Sequence, residues 1–363
     1  MSSPVPPTMR AWRYASAAGG LEKNLTLDPT VPTPSITPGS TDELLIRVLA
    51  TSLNPADHKV PEVLNSAIPV SMLRSMLIRL PATPCGDFCG QVVATSPKID
   101  TFAVGDIVFG RLPPTTSLGA AAEYILAPTA NCGVLPKDGP GSKISPEELA
   151  SLPCAGLTAY QTLAPYVKEG DKVFINGGSG GCGTFGIQIA KALGCFVTTT
   201  CSTGKVELVK SLGADEVIDY TTVNVAEEMK KKGQVYTVAV DNVGVAAPGN
   251  EQGDLYHASG EFLIPGKGRF VSVGGPISLA SFKTLGSRLL TPGFLGGGKS
   301  KIDLYTFKGT KTEDYQVLVD MIASGKLKVV VEEVFGFEDL VEAFEQLKTG
   351  RSKGKLVVRV AKE

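Results

Sequence analysis

Five glycines crowd into seven positions, Gly177, Gly178, Gly180, Gly181 and Gly183, between a strand-like run, DKVFIN, and a helical run, GTFGIQIAKALG. A dinucleotide pyrophosphate needs backbone N–H groups and a helix N-terminus aimed at it, and side chains at the turn would hold the backbone away. The spacing Gly178-x-Gly180-x-x-Gly183, after a strand and before a helix, therefore predicts a phosphate cradle of Gly178, Ser179, Gly180, Gly181, Cys182 and Gly183. A tight turn without a ligand is the competing reading.

Cofactor choice is written at the end of the next strand, where an NAD enzyme places Asp or Glu on the ribose 2′-hydroxyl. This chain has TTTCSTGK there, with no acid. Ser202 and Thr203 offer hydroxyl donors and Lys205 a positive charge, a set that suits a 2′-phosphate and predicts NADPH. Taken alone, Lys205 also fits a solvated residue opening the following helix, so the missing carboxylate is the stronger half of the argument.

The elements that must position these residues change character along the chain. ELLIRVLATSL (43–53), GQVVAT (90–95) and DIVFGRL (106–112) are short β-branched runs punctuated by Pro and Gly, the pattern of an irregular β domain. From about residue 147, strand and helix alternate: DKVFIN, GTFGIQIAKALG, FVTTTC, KVELVKSLG, EVIDY, VYTVAVDNV and RFVSVGG. That alternation predicts parallel strands joined by right-handed crossovers, hence a doubly wound α/β sheet. After the Gly-rich PGFLGGGKSK (292–301), KIDLYTF reads as a further strand. DYQVLVDMIASG and FEDLVEAFEQLKTG read as helices ending at Gly, and GKLVVRVAKE as a last strand.

Composition bounds the function. At 363 residues the chain is long enough for two cores. Its 35 basic and 36 acidic residues nearly cancel and form no block of like charge, which argues against nucleic acid or an anionic membrane surface as partner. The seven cysteines, an odd number scattered over a large chain, fit reduced thiols, and the opening MSSPVPPTMRAWRY reads as neither a secretory nor an Arg-rich organelle signal. A cytoplasmic location is the expectation. The apolar stretch 68–80 is too short to span a bilayer and is interrupted by Arg74 and Arg79.

GGSGGCGTFGIQIAKALG followed by CSTGKVELVKSLGADEVIDY resembles the quinone oxidoreductase branch of the medium-chain dehydrogenase/reductase superfamily, including its fungal zinc-binding-oxidoreductase-like group and the reticulon-interacting oxidoreductase homologues. LNPADHK (53–59), PCGDFCGQVV (84–93), VGDIVFG (104–110), LPCAGLTAYQTL (152–163), FVSVGG (270–275) and GKLVVRV (354–360) carry the resemblance over nearly the whole chain. It implies a GroES-like catalytic domain from residues 1–149 and 311–363 and a Rossmann NADPH-binding domain from 150–310. It also implies that Lys205 and Tyr220 reach the 2′-phosphate, that Thr158 lies near the cofactor, and that Gly274 and Gly275 meet the carboxamide. Asn54 is implied to line the site beside the nicotinamide, and a homodimer is the implied assembly, with KIDLYTF as the strand concerned.

Zinc-binding relatives have Cys where this chain has Asn54, a GHE motif where it has Gly86, Asp87 and Phe88, and four closely spaced cysteines in the loop that follows. Residues 90–131 contain no cysteine, and His58 and His257 are far apart. Cys85-x-x-x-Cys89 alone supplies half a site, so no metal is expected. Without a Lewis acid, the demand on fixed donors is smallest for a conjugated acceptor, whose developing charge is delocalised. The expected reaction is hydride transfer from NADPH to a quinone or an α,β-unsaturated carbonyl. Asn54 is the candidate catalytic donor and Asp57 a second catalytic candidate. Locally, Asn-Pro also fits a turn, Asp57 and Asp87 also fit structural acceptors, and His58 fits a satisfied histidine. Met72, Leu73, Met76 and Leu77 could roof the substrate cleft or pack as an ordinary helix. Two alternatives stay open: a trans-acting enoyl or tailoring reductase of a secondary-metabolite pathway, and a non-catalytic NADPH-binding sensor or crystallin-like protein.

Overall fold

The chain divides into two compact units in the computed structural model, which describes residues 4–67, 79–113, 117–244, 255–275, 301–305 and 312–361. One unit comprises Met1–Leu157, Gly309–Gly325 and Val329–Glu363; the other comprises Thr158–Lys308 and Lys326–Lys328. The four Met and Leu residues suggested as a roof, and most of the Gly-rich 292–301, lie outside the described residues.

The first unit is β-rich, as its β-branched runs predict. Strands β1 (Thr8–Arg13) and β2 (Thr26–Pro32) form an antiparallel ribbon. Strands β3 (Glu43–Ser52), β4 (Asp87–Thr95), β5 (Ile107–Arg111), β6 (Tyr124–Pro128) and β7 (Cys132–Val134) pair antiparallel, with β3 between β4 and β6. The inward faces of these strands, with Leu44, Ile46, Phe88, Val92 and Val108, form one hydrophobic core with Trp12, whose indole N–H donates to the Phe337 carbonyl at 2.7 Å.

The second unit carries six parallel strands: β8 (Lys172–Asn176), β9 (Phe196–Cys201), β10 (Glu216–Asp219), β11 (Val238–Asp241), β12 (Arg269–Ser272) and β13 (Lys301–Leu304). Their spatial order is β10-β9-β8-β11-β12-β13, the doubly wound Rossmann order expected from the alternation, with its switch point between β8 and β11. Strand β9 buries three threonines in succession, which an all-apolar parallel strand would not do. Each hydroxyl is bonded: Thr198 to Tyr236 Oη at 2.8 Å, Thr199 to the Ile175 carbonyl at 2.7 Å, and Thr200 to Asn176 Oδ1 at 2.6 Å. Buried hydroxyls so satisfied cost little.

The chain then returns to the first unit. Strand β14 (Val331–Phe335) pairs parallel with β15 (Lys355–Arg359), and β15 pairs antiparallel with β3, so the C-terminal strand completes the sheet that the N-terminal part began. A GroES-like β domain and a Rossmann domain are thus both present.

Candidate active site

Strand β8 ends at Asn176, and Gly177 turns the chain at a φ of +78°, where glycine is favoured. Gly180 caps the helix Gly181–Ala192 in extended conformation and supplies no side-chain cap to the N–H groups of its first turn. Those donors and the positive end of the helix dipole are what a phosphate requires. Gly178 and Gly183 are fixed by close approach: a Cβ on Gly178 would lie 2.0 Å from Thr199 Oγ1, and one on Gly183 2.2 Å from the Gly177 carbonyl oxygen. Thr200 ties the turn down, accepting the Gly177 N–H through its hydroxyl at 2.8 Å and the Gly178 N–H through its carbonyl at 2.9 Å. Ser179 is buried and Cys182 half-buried within the turn. The cradle fits a dinucleotide because Gly178 and Gly183 allow the close strand–turn–helix packing of such a turn, while Gly180 has no close neighbour where a Cβ would stand and leaves the helix N-terminus uncovered on that side.

A polar chain across the strand ends supports this turn. Asn176 Nδ2 donates to Asp241 Oδ1 at 2.8 Å, and the same oxygen accepts the N–H groups of Val243 and Gly244. Gly274 and Gly275 follow β12, and a Cβ on Gly274 would stand 1.9 Å from the Asn242 carbonyl oxygen, so backbone packs on backbone there. Thr158 is buried at the start of the helix Leu157–Leu163, in the same unit as the cradle.

At the end of β9, Ser202 leads into the short turn Thr203–Lys205, with Thr203 exposed and Lys205 half-buried. Tyr220 follows β10, exposed, and its N–H donates to the Cys201 carbonyl at 3.1 Å. A carboxylate missed in the sequence is also here. Asp219 pairs in register with Cys201, and its oxygens accept the Thr203 hydroxyl at 2.5 Å, the Thr221 hydroxyl at 2.6 Å and the Thr221 N–H at 2.9 Å. The Thr203 and then the Thr221 hydrogen bonds hold its pKa below the usual carboxylate value. The signal was legible: in parallel strands the last residue of EVIDY's strand stands beside the last residue of FVTTTC.

In the first unit, the candidates Asn54 and Asp57 are brought together. Asp57 opens the helix Pro55–Ala67, and its two oxygens accept the Asn54 N–H at 2.7 Å and the Gly86 N–H at 3.1 Å. The Asn54 amide donates from Nδ2 to Asp87 Oδ2 at 2.9 Å and accepts at Oδ1 from Lys355 Nζ at 2.7 Å. Lys355, at the start of β15, is buried and also donates to the Leu53 carbonyl at 2.9 Å. Asp87 Oδ2 further accepts the Cys154 N–H at 3.1 Å and the Ser52 hydroxyl at 3.3 Å, while Oδ1 is buried with the Arg111 guanidinium Nε 4.0 Å away and no hydrogen bond among the described residues. Sequence reasoning missed Lys355 and Arg111.

Charges in this cluster perturb one another. Burial, then the neighbouring Asp87, pushes Asp57 up to about 6. Burial also raises Asp87, against the opposing pull of Lys355 and Arg111. Tyr14 is pushed up to about 12 by burial and then by Asp57. A cavity beside this network is lined by Tyr14, Asp57, Cys85, Gly86, Arg111 and Leu112. His58 stands apart from that chemistry: it is buried and lies 3.3 Å from Glu62, with burial lowering its pKa. Cys85 and Cys89 are buried thiols raised by desolvation, and no group of three or more His, Cys, Asp or Glu suited to a metal occurs among the described residues.

Two family models match the chain: the alcohol dehydrogenase GroES-like domain over residues 40–137 and the zinc-binding dehydrogenase over residues 212–358. A trans-enoyl reductase of Aspergillus terreus is 42% identical over 372 residues, covering 99% of this chain and 98% of its own. A chloroplastic quinone-oxidoreductase homolog of Spinacia oleracea is 28% identical, covering 96% of this chain and 98% of its own. Among solved structures, the quinone oxidoreductase from Coxiella burnetii superposes with a TM-score of 0.78 at 29% identity, covering 97% of this chain and 99% of that one.

Proposed function

The chain belongs to the quinone-oxidoreductase-like branch of the medium-chain dehydrogenase/reductase superfamily, and from that premise we propose that it is an NADPH-dependent reductase of α,β-unsaturated carbonyls or quinones that works without zinc. The observation that carries the reading is the cradle: Gly178 and Gly183 let strand, turn and helix pack backbone against backbone, and Gly180 places no side chain over the helix N-terminus that a pyrophosphate would meet. The bound nicotinamide supplies the hydride.

The residues of the chain do the rest. Gly178 to Gly183 hold the pyrophosphate, Gly274 and Gly275 meet the carboxamide, Thr158 lies near the cofactor, and Ser202, Lys205 and Tyr220 receive the 2′-phosphate, with Thr203 beside them and its hydroxyl engaged by Asp219. Asn54 donates a hydrogen bond to the oxygen on which charge develops, and Asp57, its pKa raised to about 6 by burial, orders the Asn54 backbone. The zinc-free reading is supported by donor chemistry: an amide at residue 54 is already engaged by Asp87 and Lys355, and is a poor metal ligand beside thiolate or imidazole. Metal analysis of purified protein should find no stoichiometric zinc.

The trans-acting enoyl reductase reading is favoured over the quinone reading by the 42% identity to a protein of that name along the whole of both chains. NADPH oxidation with a panel of enones, an enoyl thioester and simple quinones tests both. Turnover of the enoyl thioester alone selects the former, and tight NADPH binding with no turnover of any acceptor selects a non-catalytic sensor. We further propose a homodimer formed along β13, which pairs only with β12 among the described residues, and a cytosolic setting, in keeping with seven free thiols. No helix among the described residues is long and apolar enough to cross a membrane.

A further inference from the structure

An asparagine amide ordinarily has two possible orientations, because its oxygen and nitrogen are nearly isosteric. At Asn54 the neighbours remove the choice. Lys355 Nζ can only donate and the Asp87 carboxylate can only accept, so the 2.7 Å and 2.9 Å contacts fix Oδ1 toward the lysine and Nδ2 toward the aspartate. Asp57 holds the backbone N–H of the same residue at 2.7 Å. One Nδ2 hydrogen is committed to Asp87, and the amide retains a single further donor hydrogen.

We infer that Lys355 is a positioning residue of the reductase, acting through Asn54: it fixes the amide so that its remaining Nδ2 hydrogen is presented as a donor, and its charge polarises that amide. The inference rests on the reading of Asn54 as donor to the developing oxyanion. Polarisation follows from chemistry alone: a cation on the amide oxygen withdraws electron density from nitrogen and strengthens its N–H as a donor, the more so in a water-poor setting. Lys355 is 3% exposed and Asn54 6%. Burying the lysine carries a desolvation cost that its bonds to the Leu53 carbonyl and Asn54 Oδ1 must offset.

Turnover of the wild-type chain with NADPH and an enone decides the reductase reading by itself; an inactive wild type would sink that reading and the role of Lys355 with it. In an active enzyme, Lys355→Met should lower kcat by about 10- to 100-fold while leaving NADPH affinity unchanged. The same substitution in an Asn54→Ala background should cost nothing further, because its path has been cut. Equal losses in the two backgrounds, or an unchanged kcat, would overturn the inference and leave the reductase reading standing. Should Lys355→Met fail to fold, the charge-neutral pair Lys355→Met with Asp87→Asn replaces it, and wild-type kcat in that protein would overturn the role. Hydrogen exchange of the Asn54 side-chain amide in the wild-type protein needs no variant: protection of one Nδ2 hydrogen supports the clamp, and free-amide rates for both refute it.

Discussion

Asp87 Oδ2 accepts the Asn54 Nδ2 hydrogen at 2.9 Å, so the anion of β4 and the amide that precedes the helix Pro55–Ala67 form one buried unit. Removing the anion leaves Lys355 enclosed without its countercharge. Asp87→Ala should therefore destabilise the first unit by about 3 to 5 kcal/mol, the cost of stranding one partner of a buried ionic network. Urea unfolding followed by circular dichroism measures it, and a loss below about 1 kcal/mol would show that the network is solvated.

Asp57 predicts a pH dependence of stability. Its folded-state pKa of about 6 lies above the ordinary aspartate value, so the folded chain holds a proton there that the unfolded chain has already released. The stability contributed is complete below the unfolded value and is lost as pH rises through 6. Asp57→Asn cannot titrate, and relative to wild type it should gain about 2 to 3 kcal/mol between pH 4 and pH 7. Any fixed cost of losing one acceptor shifts its whole curve without changing that slope. Urea midpoints across the pH series give the difference, and parallel curves would contradict the assignment.

How much of this was legible in the sequence depends on how local the signal is. The cradle was readable because strand, turn and helix are contiguous and glycine has few other reasons to cluster so. The doubly wound sheet was readable because period and punctuation recur from DKVFIN to RFVSVGG. Lys355 was not readable, since 301 residues separate it from Asn54, and GKLVVRV shows only a strand opened by a lysine. Arg111 was hidden in the same way, as one end of β5 paired with Asp87 across the sheet. Asp219 does not show in the residues of β9 itself, because parallel register delivers it from the neighbouring strand.

The glycines of the cradle are not interchangeable. A Cβ at Gly183 would stand 2.2 Å from the Gly177 carbonyl oxygen and 2.6 Å from Gly178 Cα, both backbone atoms that cannot move without opening the turn. At Gly186, in the same helix, the nearest atom is Ile175 Cδ1 at 3.4 Å, an ordinary contact. Gly183→Ala should therefore weaken NADPH binding at least about tenfold and cost about 1 to 3 kcal/mol of stability. Gly186→Ala should be neutral or stabilising by up to about 1 kcal/mol. Fluorescence titration and thermal melts of the pair would separate overpacking from helix propensity, and equal behaviour would refute the distinction.

Cofactor choice is where the Asp219 finding bears most directly. The Thr203 hydroxyl donates to Asp219, so its one hydrogen is withheld from a 2′-phosphate, and the carboxylate adds a like charge nearby. Lys205, Ser202 and Tyr220 must then carry the preference for NADPH against Asp219. Lys205→Ala should weaken NADPH by about 10- to 100-fold, as for a lost charge-assisted hydrogen bond, with NADH changed by less than about threefold. Asp219→Asn should act in the opposite direction, releasing Thr203 and removing the repelling charge, so that NADPH tightens relative to NADH. Titration of both cofactors against both variants checks the pair. If Lys205→Ala weakens the two cofactors equally, the lysine does not meet the 2′-phosphate; if Asp219→Asn shifts the ratio toward NADH, the carboxylate orders the loop for the phosphate instead of opposing it.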